Sequence, residues 1–180
     1  MPRSCRRALR VKLAIMARNE HNSASDAVVA AVTADIPAWR ILAAEVESLF
    51  GPMVGDPTFE QALARGIERG TAFCIRAGNR PGTPLLGALL FSPTHAPLYR
   101  IGWLAVTAGA RRMGIGRRLV RHALALVKPP AIVEVVTFTI EQIGGAAARD
   151  FYASLGFAPA EIRPFGPEAA PRQLFRLNVT

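Results

Sequence analysis

The apolar run Ile101-Gly-Trp-Leu-Ala-Val106 leads into Arg111-Arg112-Met113-Gly114-Ile115-Gly116, and a helical pattern follows from Arg117 to Lys128. A strand, a glycine-bearing turn and a helix start, in that order, constrain this chain more than any other feature. The first N–H groups of a helix have no partner inside it, and the helix dipole adds partial positive charge at the same point. A phosphate or pyrophosphate is stabilised there, and glycines let it come close to the backbone. Gly-x-Gly alone says little; its place between strand and helix gives it meaning.

A chain of 180 residues, 51% of them hydrophobic, suffices for one domain with a real core. No apolar run approaches the roughly 20 residues that span a bilayer. The net charge is +9, and six of those charges, Arg3, Arg6, Arg7, Arg10, Lys12 and Arg18, precede any acidic residue. A second basic group, Arg111, Arg112, Arg117, Arg118, Arg121 and Lys128, surrounds the glycine turn. Basic charge wrapped round one helix start fits a small polyphosphate better than a nucleic acid, and no aromatic–basic RNA motif accompanies it. Cys5 and Cys74 do not make a disulfide framework, and Cys74, in an apolar run, reads as a buried residue. His21, His95 and His122 have no partners at metal-ligand spacing, so no metal is expected. The apolar stretch from Leu13 to Ala17 is too short for a signal peptide, which makes the cytoplasm the expected compartment.

Residues 1–26 are basic and then polar without sustained periodicity, and read as a disordered tail. The alternative is a basic arm for an acidic partner. Met16 opens a stretch resembling an ordinary polar N-terminus, so a true start there is a fair expectation. Residues 27–180 read as a single domain. Ala27 to Thr33 predicts a first strand. Asp35 with Pro37 signals a helix that carries Trp39, Leu42, Ala43, Val46 and Phe50. Thr58 is the expected N-cap of a second helix with Phe59, Leu63 and Ile67, ending at Gly70. Thr71–Ala77 and Leu85–Phe91 form a hairpin across a turn rich in Gly and Pro. Leu98–Val106 is the next strand, and Pro129-Pro130 stops the helix after the glycine turn. Ala131–Phe138 follows as a strand, joined to Leu98–Val106 by a right-handed crossover between parallel strands. Gly144-Gly145 opens a short helix that ends at Gly156; Phe157 begins a strand, and Gln173–Val179 is the last.

That order, with Arg111-x-x-Gly114-x-Gly116 after the fourth strand, resembles the GNAT superfamily of N-acetyltransferases. A second, independent motif, Ala148-Arg-Asp-Phe151-Tyr152-Ala-Ser-Leu-Gly156-Phe157, is similar to the family's Phe-Tyr helix closed by a Leu-Gly-Phe turn. The motifs cover residues 98–158, and the element order covers about 27–180. The resemblance implies a mixed α+β fold, in which a strongly twisted mixed sheet of six to seven strands is flanked by about four helices. It also implies acetyl-CoA as cosubstrate, with the pyrophosphate on the amides of Arg111, Arg112, Met113, Gly114, Ile115 and Gly116, and with Arg117 entering the helix. Arg112, Arg117 and Arg118 could reach the phosphates at the adenosine end, the alternative for each being a solvated face. The pantetheine arm would lie beside Leu104, Ala105 and Val106.

By the same resemblance Tyr152 is the general acid, its alternative being a core aromatic beside Phe151, and Ala148 leaves room one turn earlier. A backbone N–H of the fourth strand would polarise the thioester carbonyl. The chain departs from the family where a frequent Asn is Gly145, whose backbone could approach the cofactor instead. A common Pro after the fourth strand is Ala108. No glutamate stands in the fourth strand, which leaves Glu134, Glu141 and His95 as candidate bases, or ordered water. The implied reaction is direct attack by an amine in a ternary complex, and the expected acceptor is a small amine. Only Asp56, Glu60 and Glu168 are acidic in the loops expected to hold it, so a polycation is disfavoured. A protein N-terminus or lysine is a second acceptor class, and a non-catalytic acyl-CoA sensor is a competing function. A homodimer is compatible with such a domain.

Overall fold

The Val- and Ile-rich runs become strands, and the segments with apolar residues every three or four positions become helices that lie on them. A computed structural model describes residues 27–165 and 170–180. The basic tail, Glu168 and the side chain of His95 lie outside the described residues. The strands are β1 (Val29–Ala30), β2 (Ala72–Arg76), β3 (Leu85–His95), β4 (Leu98–Val106), β5 (Ala131–Phe138), β6 (Ala158–Phe165) and β7 (Ala170–Val179). The helices are α1 (Ile36–Phe50), α2 (Pro57–Glu68), α3 (Ile115–Leu124) and α4 (Gly145–Ala153). The strands form one mixed sheet in the order β1-β2-β3-β4-β5-β7-β6. The expected mixed α+β architecture holds, with the β2–β3 hairpin antiparallel and the β4–α3–β5 crossover parallel.

Two apolar layers sandwich the sheet. On one face Ile115, Leu119 and Val120 of α3, with Tyr152 of α4, pack on Leu89, Ile101, Val133 and Phe175. On the other, Trp39, Leu42 and Val46 of α1, with Phe59 and Leu63 of α2, pack on Cys74, Ala88, Trp103 and Ala105. The Trp39 and Trp103 rings stack there at 5.3 Å. Cys74 is buried, as its apolar run implies, and loss of hydration pushes its thiol up to about 11.

Several boundaries differ from the sequence reading, each for a local reason. Only Val29 and Ala30 of the expected first strand pair with β2, because the Asp35 carboxylate accepts the Val32 amide (2.9 Å) and turns the chain away. Asp56, rather than Thr58, caps α2: Pro57 fills the first helical position, and the Asp56 carboxylate accepts the Thr58 amide at 2.9 Å. The helix after the glycine turn begins at Ile115 and stops at Leu124, before Lys128. Its last turn tightens, with the Leu126 and Val127 amides reaching back only three residues. β7 begins at Ala170 instead of Gln173, since its pairing with β6 continues to Phe165↔Ala170.

Candidate active site

β4 and β5 pair only from Leu98–Ile101 against Ile132–Val135, yet β4 continues to Val106 and β5 to Phe138. The separation coincides with a bulge. Leu90 opposes Trp103 while Phe91 opposes Ile101, so Gly102 is an extra residue on β4. A bulge bends its strand and increases the local twist. It also exchanges the faces: Tyr99 and Ile101 lie in the α3/α4 layer, whereas Trp103 and Ala105 lie in the α1/α2 layer. A glycine inside a strand pattern is a bulge signal, and here it marks where the sheet opens.

The opened edge of β4 carries unused backbone groups. The Thr107 amide donates to the Leu86 carbonyl at 3.0 Å, which fixes the alternation of this antiparallel pair. Ala105 and Trp103 therefore bond toward β3, while the N–H and C=O groups of Leu104 and Val106 point into the opening. The Arg111 side chain takes up one of them, its Nε donating to the Val106 carbonyl at 3.3 Å.

Beyond Val106, a 3-10 turn (Ala108–Ala110) leads to the glycine turn. Arg112 and Gly114 both have left-handed backbone, with φ of +64° and +79°. Gly114 is the N-cap of α3, and the helix's first internal bond runs from the Arg118 amide to the Gly114 carbonyl (3.0 Å). The amides of Gly114, Ile115, Gly116 and Arg117 are thus left without helical partners, at the positive end of the dipole. Successive free amides in a turn with alternating handedness form an anion-binding concavity. A side chain at Gly116 would place its Cβ 3.3 Å from the Phe151 ring and 3.6 Å from Val106, so glycine lets α3 start hard against α4 and β4. Ile115 is buried in the core, and Met113 is exposed.

Arg117 enters the helix as expected and also makes a contact that the sequence did not show. Its guanidinium donates to the Ser154 Oγ at 2.8 Å and the Ser154 carbonyl at 3.4 Å, tying α3 to the end of α4. Its backbone amide is among the free amides of the helix start, while its side chain is engaged with Ser154.

Glu45 of α1, which the sequence did not single out, holds the entry to the cradle. Its carboxylate accepts from the Thr107 hydroxyl at 2.7 Å and from the Ala108 amide. The Ala108 bond most of all, with the Thr107 bond and the Arg111 charge, holds this carboxyl below its ordinary range against a smaller opposing effect of burial. An exposed mid-helix glutamate carries no local signal of such a role. Replacing Glu45 with alanine should raise the Kd for acetyl-CoA, the cosubstrate that the resemblance implies, about tenfold, equal to ~1.4 kcal/mol. Use of acetyl-pantetheine, which lacks the pyrophosphate, should change little. Calorimetry and thiol-release kinetics on the two donors check this, and equal losses on both would count against a role confined to the cradle.

Tyr152 sits on α4 among the rings of Phe151, Phe157 and Phe175, at 5.1, 5.6 and 6.1 Å between centres. Burial pushes its phenol well above the ordinary range, so it keeps its proton at neutral pH. Ala148, one turn earlier, is half-buried. Gly145 has no free room around it: a Cβ there would lie 1.8 Å from the Thr139 carbonyl oxygen, and its amide already donates to Gln142 at 2.8 Å. The glycine serves the chain's own close packing.

Glu134 is buried and paired with Arg176 at 2.8 Å and Arg100 at 3.4 Å. Burial alone would raise its pKa, but hydrogen bonds and charge from the two arginines outweigh that and lower it. A base needs a carboxylate whose proton affinity is not suppressed, which removes Glu134. Its own backbone amide and the Thr139 side chain hold the exposed Glu141 carboxyl below its ordinary range. Among the described residues no group of three His, Cys, Asp or Glu side chains could hold a metal ion, and no helix is long and apolar enough to cross a membrane.

An opened parallel strand pair running into a free-amide helix start is a site for a long ligand with an anionic end. The model of the acetyltransferase (GNAT) family matches residues 39–157. The chain belongs to the GNAT family. Solved members share its architecture at low identity. A GNAT acetyltransferase from Desulfovibrio desulfuricans is 18% identical over 86% of this chain and 100% of its own, with a TM-score of 0.65. Arabidopsis thaliana Naa50, in complex with the bisubstrate analogue CoA-Ac-MVNAL, is 16% identical over 86% of this chain and 99% of its own, with a TM-score of 0.65. Ribosomal-protein-alanine N-acetyltransferase from Brucella melitensis is 17% identical over 85% and 99%, with a TM-score of 0.64. At these identities the likeness shows the fold. Family membership makes this chain an acetyl-CoA-dependent acyltransferase.

Proposed function

We propose that this GNAT domain, residues 27–180, moves the acetyl group of acetyl-CoA to a primary amine by direct attack in a ternary complex. The observation that carries the reading is the opening between β4 and β5, which ends at the free amides of Gly114–Arg117. Acetyl-CoA supplies the acyl thioester. The backbone of Arg111–Gly116 holds the pyrophosphate, and Arg112, on the exposed side of the turn, adds charge near the phosphates. The free groups of Leu104 and Val106 take the amide groups of the pantetheine arm, with the small Ala105 between them. The Leu104 amide is also the donor placed to polarise the thioester carbonyl.

In the transfer the amine nitrogen forms the new bond to the acetyl carbon, the carbon–sulfur bond breaks and the amine loses a proton. The family resemblance makes Tyr152 the group that gives the departing sulfur its proton; it is protonated at neutral pH, although burial makes it a weaker acid than a free phenol. Glu134 is taken up by its two arginines, and in this reading the amine's proton leaves to water. A small amine is the acceptor class read from the sequence. The similar ribosomal-protein-alanine N-acetyltransferase and the Arabidopsis complex with CoA-Ac-MVNAL place protein and peptide acceptors beside it as a second class.

Tyr152→Phe is the test of mechanism. Turnover should fall about a hundredfold, at the lower end of what general acid catalysis contributes, while acetyl-CoA affinity stays nearly constant. Unchanged turnover would leave Tyr152 a packing residue among Phe151, Phe157 and Phe175. A second reading, the non-catalytic acyl-CoA sensor, draws support from the pairing of Glu134. Micromolar acetyl-CoA binding without transfer to any of a broad amine panel would establish it.

A further inference from the structure

At the open end of β5, on the α1 side of the sheet, the Phe138 ring packs against Phe50 at 5.0 Å. The loops after α1 and after β5 meet at the same place, where Leu49 of α1 lies 3.9 Å from the Cβ position of Gly144. These loops expose large apolar side chains: Val54 at 45%, Ile140 at 60% and Ile143 at 82%. A group of exposed apolar side chains is a recognition feature when it lies beside an opening.

The charges around this pad are one-sided. Every described carboxylate on α1, β5, β6 and the loops joining them to the pad already has donors. Glu45 takes Thr107 and Ala108, and Glu47 takes the Met53 and Val54 amides at 2.7 and 2.8 Å. Asp56 caps α2, Glu134 has its two arginines, and Glu161 is paired with Arg163 and Arg176. Glu141 is held by its own amide and Thr139. Of these, Glu134 and Glu161 are already matched by arginine charges. The guanidinium of Arg172 instead lies over the Phe138 ring, 5.2 Å from its centre, and its buried Nη1 has no hydrogen-bond partner. Trp39, Arg100 and Trp103 also carry such donors, but among the described residues it is Arg172's that lies against the Phe138 ring of the pad.

We propose that the acceptor is an α-aminoacyl group with an apolar side chain. Its amine enters the opening, its side chain covers the Phe50–Phe138 pad, and its carbonyl or carboxylate oxygen accepts from Arg172. This deepens the transfer reading above and rests on it.

The test uses the full chain with acetyl-CoA, thiol-release detection and amines matched in shape. Leucinamide carries the apolar side chain and the carbonyl. 3-Methylbutylamine is the same skeleton without the carboxamide, and lysinamide exchanges the apolar side chain for a second cation. Leucinamide should exceed each of the others at least tenfold in kcat/KM. Arg172→Met should collapse the ratio of leucinamide to 3-methylbutylamine toward one. Leucine compared with a leucine-initiated tripeptide tells a free amino acid from a chain end.

Equal or faster use of lysinamide or 3-methylbutylamine by the wild-type chain overturns the acceptor class and leaves the transferase standing. A ratio unmoved by Arg172→Met overturns the oxygen contact. No transfer to any of these amines, by protein that binds acetyl-CoA, overturns the acceptor class, and the broad amine panel then decides between transferase and sensor. If Arg172→Met does not fold, the wild-type panel still decides the class.

Discussion

Gly116→Asp is expected to remove acetyl-CoA binding from a chain that stays folded. The wild-type chain should bind acetyl-CoA at micromolar Kd in a calorimetric titration, and the variant should show no heat at a hundredfold higher concentration. Gly116 lies in the first turn of α3, whose free amides are the anion cradle. A carboxylate there faces the helix dipole with the favourable sign, so the helix itself is not weakened by the charge. The added Cβ must displace the Phe151 ring, 3.3 Å away, by only a few tenths of an ångström. The loss therefore falls on the ligand. A carboxylate about 4 Å from a pyrophosphate charge, at an effective dielectric of about 20, is opposed by about 4 kcal/mol, roughly a thousandfold in affinity. An unchanged melting temperature with binding gone places the pyrophosphate on this turn. Retained micromolar binding moves it elsewhere.

What could be read from the sequence was local. The glycine turn and the helix closed at Gly156 each declare themselves within about a dozen residues, the crossover from Leu98 to Phe138 is assembled from such local signals, and all three appear in the expected order. The opening of the sheet does not. It is a register event between β4 and β5, whose paired residues lie 34 positions apart, and only the lone Gly102 hinted at it. The Glu45 contact with Thr107 spans 62 positions, and the Arg117 contact with Ser154 spans 37. Side-chain contacts of that kind leave no periodicity to detect. Glu134 shows the same limit from the other direction. As a sequence letter it is a candidate base, and only the folded sheet brings Arg100 and Arg176 to neutralise it. Gly145 looked like a lost cofactor contact, and folding turns it into the one residue small enough to sit against the Thr139 carbonyl.

The largest expected loss of stability comes from a site remote from the chemistry. Asp35 is fully buried and receives four donors: the Val32 amide at 2.9 Å, the Gly82 amide at 2.9 Å, and Arg76 through Nε at 2.9 Å and Nη2 at 2.6 Å. It joins the start of α1, the end of β2 and the turn between β2 and β3. Asp35→Ala leaves the mostly buried Arg76 without its counter-charge and strands two amides, so it should cost about 3–5 kcal/mol. A domain of ordinary stability has about 5–15 kcal/mol in total, and the melting temperature should drop by on the order of 10 °C. Burial would raise the Asp35 pKa, but the Arg76 bonds, the two amides and the Arg76 charge outweigh it and lower it below the ordinary value. A carboxyl with a lower pKa folded than unfolded contributes its full stability above the unfolded value, about 4, and loses it as the pH falls through the folded value. Urea denaturation should therefore show the gap between wild type and Asp35→Ala constant from pH 7 to pH 5 and narrowing below about pH 4. A gap under about 1 kcal/mol at pH 7 would mean that the burial of Asp35 cancels what its partners contribute, as happens when desolvation of an ion pair matches its attraction. Asp35→Asn separates the two cases, because it keeps the shape and two of the acceptor contacts while removing the charge that Arg76 answers.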